Sequence, residues 1–196
     1  MQRAGQCAAR FVLTHCQPLD RIWLLVGPGN NGGDALTAGM YLLQAGLKVH
    51  TIMPQVPSDS AMDARNALSA WLGHGQSTLP ELPLKAHLAK READPLCFDR
   101  DDASSDLVID GLFGIGLNRD LTAPWQTIVD QINTSNARVL SLDIPSGLMA
   151  DTGRCLGRPI KATWTLAFIA PSHALYDDKT AKWVGTWDVC TLDLNV

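Results

Sequence analysis

No apolar run in this chain approaches the roughly 18–20 residues needed to cross a bilayer, and no basic-then-apolar leader opens it. An excess of positive charge is missing too. Sixteen Lys and Arg stand against 20 Asp and Glu, giving a formal charge of −4. That excludes a general nucleic-acid-binding surface, so any anionic ligand must be held by local donors. C-x-x-C pairs are absent: Cys7, Cys16, Cys97, Cys155 and Cys190 are scattered and odd in number. Neither a disulfide framework nor a zinc site is expected, and reduced thiols in a cytoplasmic compartment follow as the default. His15, His50, His74, His87 and His173 lack metal-ligand spacing and read as surface or satisfied core residues. Internal repeats and low-complexity segments are lacking as well. What remains is 196 residues, 46% hydrophobic, enough for one globular domain over residues 1–196 with a substantial core.

Strand-like and helix-like segments alternate along that domain, which predicts a Rossmann-like α/β fold: a mostly parallel sheet with helices on both faces. An opening helix is predicted over about Gln2 to Cys16, ended by Pro18-Leu19-Asp20. The strand Ile22–Val26, a helix from about Asn31 to Ala45 and the strand Lys48–Met53 form a βαβ unit, with Gly46 suited to the position after the helix. A further helix is expected over Ser58 to Leu72, capped by Ser58 or Asp59. Gly73 to Pro83 is polar, with Gly and Pro. Beyond it come the strand Leu107–Asp110, the helix Pro124–Ile132 and the strand Arg138–Leu142, with closing strands at Trp164–Ile169 and Trp187–Leu192.

The turn Gly27-Pro28-Gly29-Asn30-Asn31-Gly32-Gly33-Asp34 joins the first strand to the second helix. A glycine-rich turn at a helix N-terminus exposes backbone N–H groups to an anion such as phosphate. Gly27, Gly29 and Gly32 satisfy G-x-G-x-x-G, yet the ribose-binding acid expected roughly 20 residues later is missing. The second strand ends instead in Met53-Pro54-Gln55-Val56. Gly27 and Gly32 also have P-loop spacing, but Gly33-Asp34 stands where Lys-Ser/Thr is required, and a carboxylate would repel β/γ-phosphates. The loop has phosphate-binding architecture without the residues of either common use. A merely structural turn would not need Asn30, Asn31 and Asp34.

Two more loops follow strands. In Asp110-Gly111-Leu112-Phe113-Gly114-Ile115-Gly116-Leu117-Asn118-Arg119, Asp110 lies at the strand end where open α/β sheets place ligand groups. Gly114 and Gly116 allow close backbone approach, and Arg119 suits a phosphate. The plainer alternative has Asp110 capping a turn and Arg119 solvated. In Leu142-Asp143-Ile144-Pro145-Ser146-Gly147 a second carboxylate ends a strand. Ser146 lacks a G-x-S-x-G setting and a histidine partner, so it is not expected to be a hydrolase nucleophile. Asn31, Asp110, Asp143 and Ser146 would converge on one rim. Such oxygen-only side chains suit a hard cation rather than zinc or iron.

GPGNNGGD, DGLFGIGLNR and LDIPSG, in this order, together with Met1-Gln2-Arg3-Ala4-Gly5, resemble the NAD(P)H-hydrate epimerases, the YjeF N-terminal domain family, over essentially the whole chain. The resemblance implies a three-layer α/β/α sandwich that converts the R epimer of hydrated NADH or NADPH into the S epimer. A partner ATP- or ADP-dependent dehydratase then repairs the S form. Carried onto this sequence, the substrate-binding residues are Asn30, Asn31, Gly32, Gly33 and Asp34, then Gly114, Ile115, Gly116, Leu117, Asn118, Arg119 and Asp120, and Asp143. Asn31, Asp110 and Ser146 would coordinate one potassium ion per subunit, and a homodimer is implied. The hydrated dinucleotide is then substrate rather than redox cofactor, which accounts for the missing ribose acid. Asp143 is the acid/base expected to move a proton at the ring hydroxyl, being partly desolvated beside the glycine-rich loop.

Departures from the family pattern carry weight. Gln2 stands where Glu is usual, Ala35 where a glycine usually follows NNGGD, and Ser172-His173 where a lysine commonly follows the proline. The chain also starts at the Arg-Ala-Gly signature, which would weaken dimerisation or activity if a leading segment matters, and a dehydratase domain is a possible continuation after Val196. Two other functions compete. The same fold serves as a dimeric, non-catalytic scaffold in an mRNA-decapping enhancer, though a scaffold would not need Asp110, Asp143 and Ser146 together. An ordinary NAD-dependent oxidoreductase is weakened by the missing acid.

Overall fold

The structure is a computed structural model that describes residues 1–16, 21–79, 106–135 and 137–193. Pro18, Leu19, Asp20, His87 and Cys97, and the end of the Gly73–Pro83 stretch, lie outside the described residues.

Among the described residues six parallel strands form one sheet in the order β2-β1-β3-β4-β5-β6. They are β1 (Ile22–Val26), β2 (Val49–Ile52), β3 (Leu107–Gly111), β4 (Arg138–Leu142), β5 (Trp164–Phe168) and β6 (Thr186–Cys190). The order reverses between β1 and β3, and the carboxyl ends at that crevice are where α/β sheets bind ligands. Register sets Leu25 beside Asp110 and Asp110 beside Ser141, so the β3 aspartate lies between two central strands.

Alternation along the strands divides the core. Ile22, Leu24, Val26, Leu107, Ile109, Leu140 and Leu142 pack on one face against helix α1 (Gln2–His15) and helix α2 (Asn30–Gln44), together with Trp71 of helix α3 (Met62–Gly73). Trp23, Leu25, Val108 and Val139 pack on the other face against Trp125, Ile128, Val129 and Ile132 of helix α4 (Trp125–Thr134). The expected α/β/α layering holds, with every strand pair parallel rather than most of them. α1 forms because Ala4, Ala8, Ala9 and Val12 recur on one buried stripe. α2 ends at Ala45, and Gly46 takes φ +84°, the left-handed turn its lack of a side chain allows. At the amino ends of the strands Arg21 clamps Asp106 through two bonds, Nε to Oδ1 at 3.0 Å and Nη2 to Oδ2 at 2.8 Å.

Three expectations need correction. α3 starts at Met62, and neither Ser58 nor Asp59 caps it. The Ser58 N–H instead donates to Pro28 O at 3.1 Å, tying this loop to the glycine turn, while Asp59 pairs with Arg65. Two short elements bear no sequence signal: a 3-10 turn at His173–Leu175 and helix α5 (Ala181–Val184). Finally, Cys7 on α1 and Cys190 on β6 form a disulfide across 183 residues of sequence, so the expectation of five reduced thiols fails for this pair. Cys16 is buried and free, and Cys155 is exposed and free. No helix among the described residues is long and apolar enough to cross a membrane.

Candidate active site

The glycine turn is shaped first by packing. A Cβ on Gly27 would stand 1.6 Å from Leu112 O, and one on Gly32 would stand 2.1 Å from Gly27 O. These two glycines let β1, α2 and the β3 loop close on one another. Gly29 carries no such constraint, and its carbonyl accepts the N–H groups of Gly32 (3.1 Å) and Gly33 (3.4 Å). Those two amides are therefore not free for a ligand, which narrows the anion-binding expectation to the groups before them.

Asn31 is buried on the first turn of α2, and its Nδ2 donates to Leu142 O at 3.3 Å. Its Oδ1 is buried with no hydrogen-bond partner. Turning the amide over would set two oxygens against each other, so the orphan acceptor is a property of the site.

Asp110 is fully buried and closed off by four donors. Its Oδ1 accepts from Ser146 Oγ at 2.6 Å and Leu112 N at 3.3 Å, and its Oδ2 from Ser141 Oγ at 2.8 Å and Ser146 N at 2.9 Å. Burial pushes its carboxyl up, and the bonds from Ser146, Ser141 and Leu112 pull it back. Ser146 Oγ also accepts the Phe113 N–H at 2.9 Å, which fastens the β3 loop to the turn after β4. Turn-capping and ligand roles were both open for Asp110. The four bonds show it organising two loops at once.

Asp143 is different. It sits at φ +62°, a left-handed conformation rare outside glycine, which is tolerated where function holds it in place. Its N–H donates to Leu166 O at 2.9 Å, and its Oδ1 accepts the Phe168 N–H at 3.1 Å. Among the described residues no donor reaches its Oδ2. Burial pushes the carboxyl up, with the Phe168 bond opposing. Asp34 is raised further, to about 7, by burial first, with the Met1 α-amino group opposing and Asp143 adding to the rise.

A cavity of about 760 Å³ opens over these groups. Asn30, Asn31, Asp34, Gly114 to Arg119 and Asp143 line it, so most of the sequence-predicted residues come together. Among the described residues Arg119 is the one cation on its walls. Asp110 and Ser146 lie buried behind the wall, as do Gly32 and Gly33. Asp120 does not join them: it is exposed, away from the cavity, with Arg154 Nη2 4.0 Å off. Sequence reasoning missed Gln55, Ser58, Phe113 and Trp125 as walls. Gln55 occupies the strand-end position searched for a carboxylate, so its place was signalled but its chemistry was not.

No group of three or more His, Cys, Asp or Glu suited to a metal occurs among the described residues. The oxygen set of Asn31, Asp110 and Ser146 is of another kind, and its unpartnered Asn31 Oδ1 fits a hard monovalent cation.

A family model described as YjeF-related protein N-terminus matches residues 1–174. The NAD(P)H-hydrate epimerase of Bordetella bronchiseptica is 41% identical over 198 residues, covering 99% of this chain and 79% of its own. The bifunctional NAD(P)H-hydrate repair enzyme Nnr of Coxiella burnetii is 33% identical over 198 residues, spanning all of this chain but 37% of that protein. Among solved structures, yeast ynu0 superposes with TM-score 0.69 at 18% identity, over 89% of this chain and 71% of that one. That likeness carries the fold alone. With sequence motifs, family match and architecture in agreement, the chain belongs to the YjeF-related N-terminal family.

Proposed function

We propose that this protein is an isomerase that inverts the R epimer of hydrated NADH and NADPH to the S epimer. The reading is supported by epimerases that share 41–42% of their residues over almost the whole chain. The observation that carries it is Asp143, a half-buried carboxyl in a left-handed turn on the wall of a large cavity. The hydrated ring bears its hydroxyl on the carbon next to nitrogen, so configuration inverts through loss and return of water. Asp143 moves the proton at that hydroxyl, and the burial that raises its pKa suits a carboxyl that carries one. Arg119 holds the pyrophosphate, and Asn30, Asn31, Asp34 and the Gly114–Leu117 backbone orient the dinucleotide.

Asn31, Asp110 and Ser146 would hold a potassium ion, which when bound supplies a fixed positive charge near the dinucleotide. The cycle is completed by an ATP- or ADP-dependent dehydratase, fused or separate, acting on the S epimer, and the working unit is a cytoplasmic homodimer. The test is chromatographic separation of the two hydrates with and without enzyme. R-to-S conversion well above the uncatalysed rate is expected. Tight hydrate binding with no acceleration would leave a binding scaffold instead.

A further inference from the structure

A second carboxyl shares the cavity with Asp143. Asp34 arises from α2 just past its first turn, after β1, whereas Asp143 follows β4, so the two approach from different elements. Both line the large cavity and both line a smaller chamber of about 240 Å³, so the two chambers share these walls. The chamber's remaining walls are largely apolar, with Ile115, Phe168, Ile169 and Leu192 prominent. Ile115 and Ile169 are exposed isoleucines, and Ile169 is held at φ +68°, a conformation that β-branched residues avoid. Each carboxyl keeps an oxygen without a hydrogen-bond donor. Asp34 Oδ1 is buried with no hydrogen bond, its ion-pair partner being the Met1 α-amino nitrogen 3.6 Å away, and among the described residues Asp143 is bonded through Oδ1 alone.

Inversion at a carbon bearing a hydroxyl needs an acid on the face that water leaves and a base on the face to which it returns. One carboxyl cannot stand on both faces of a held ring. We propose that Asp34 is the second catalytic carboxyl, facing Asp143 across the hydrated nicotinamide ring, which enters the small chamber. This deepens the epimerase reading and rests on it.

The step balances without any oxidant. One carboxyl gives its proton to the ring hydroxyl. The C–O bond breaks as the ring nitrogen's lone pair forms C=N, and water departs. A water on the opposite face then bonds to that carbon while the second carboxylate takes its proton. One water leaves, one enters, and one proton has passed from one carboxyl to the other, returning through solvent. The cationic ring formed between the two steps is steadied by the carboxylate beside it. Two carboxyls near each other in a poorly hydrated site resist double ionisation, which supplies the one protonated and one ionised group the step needs. The charge of Asp143 does raise Asp34, after burial as the larger cause.

The experiment is epimerase kinetics in H₂¹⁸O with the wild type, Asp34→Asn, Asp34→Glu and Asp34→Ala, following epimers by chromatography and label by mass spectrometry. The wild type is expected to gain one ¹⁸O per inversion. Asp34→Asn is expected to lose at least about 100-fold in kcat with little change in KM. Glu should recover part of the rate, and added formate should rescue Asp34→Ala, which also serves if the amide variant does not fold. Retained kcat with a raised KM would make Asp34 a binding residue only and leave the epimerase reading standing. Loss of kcat without rescue by Glu or formate would equally overturn the proposal, as would inversion without label. A wild type that does not accelerate inversion at all would remove both readings together.

Discussion

β3 and β4 are neighbouring parallel strands, and each delivers an aspartate at its carboxyl end, Asp110 and Asp143. In sequence the two look alike, a carboxylate after an apolar run. In the fold they are opposites. Asp110 is shut away with four donors, whereas Asp143 is half-open, in a left-handed turn, with one donor. A carboxylate whose lone pairs are spoken for holds loops together, but cannot exchange protons readily with a ligand. A carboxylate left short of donors on a cavity wall has a free oxygen with which to give or take a proton. The strand end supplies position, and the surrounding donors decide what the position is for.

The comparison breaks first at the closed end. Asp110→Ala strands four buried donors and is expected to lower stability by about 3–5 kcal/mol, read as a fall in the urea midpoint. A loss under about 1 kcal/mol would mean the cluster is not structural.

The open end carries the reverse sign. Asp34 rises from the ordinary 3.8 to about 7 on folding, so its contribution is fully present below the unfolded value and is lost as pH climbs through about 7. Asp143 is raised as well and acts in the same direction. Stability should therefore decline between pH 4 and 7 on account of these groups, and Asp34→Asn should flatten that decline in melting curves across the range. A decline as steep in the variant as in the wild type would contradict the buried, raised carboxyl assigned to Asp34.

Smaller effects sharpen the contrast. Ser146→Ala removes one bond to Asp110 and leaves Ser141, Leu112 and the residue 146 backbone in place, for a loss of about 1–3 kcal/mol. For the proposed cation, potassium at ten times its dissociation constant should add about 1.4 kcal/mol to stability. Sodium at equal ionic strength should add less, and Asn31→Ala should abolish the difference, as thermal melts would show.

Much of the frame was legible from the chain. β1 and β4 coincide with the apolar runs Ile22–Val26 and Arg138–Leu142, because central parallel strands are buried on both faces. The three loops that carry the site were legible from glycines and carboxylates at strand ends. What separates Asp110 from Asp143 was not, since the donors Ser141 and Ser146 meet Asp110 only after β3 and β4 are in register. Ser58 had every local mark of a helix cap, and a tertiary bond to Pro28 overrode it. The Cys7–Cys190 bond joins the two ends of the chain, out of reach of any spacing rule. Gln55 was overlooked because the known motif asks for an acid there.

The most direct test of the division between the two aspartates is Asp143→Asn, assayed for R-to-S conversion and for stability in the same preparation. An asparagine tolerates the left-handed turn and cannot exchange the carboxyl proton. The expected result is a fall in kcat of at least about 100-fold with a urea midpoint equal to or above the wild type. Near-normal turnover, or a loss of stability matching that of Asp110→Ala, would contradict it.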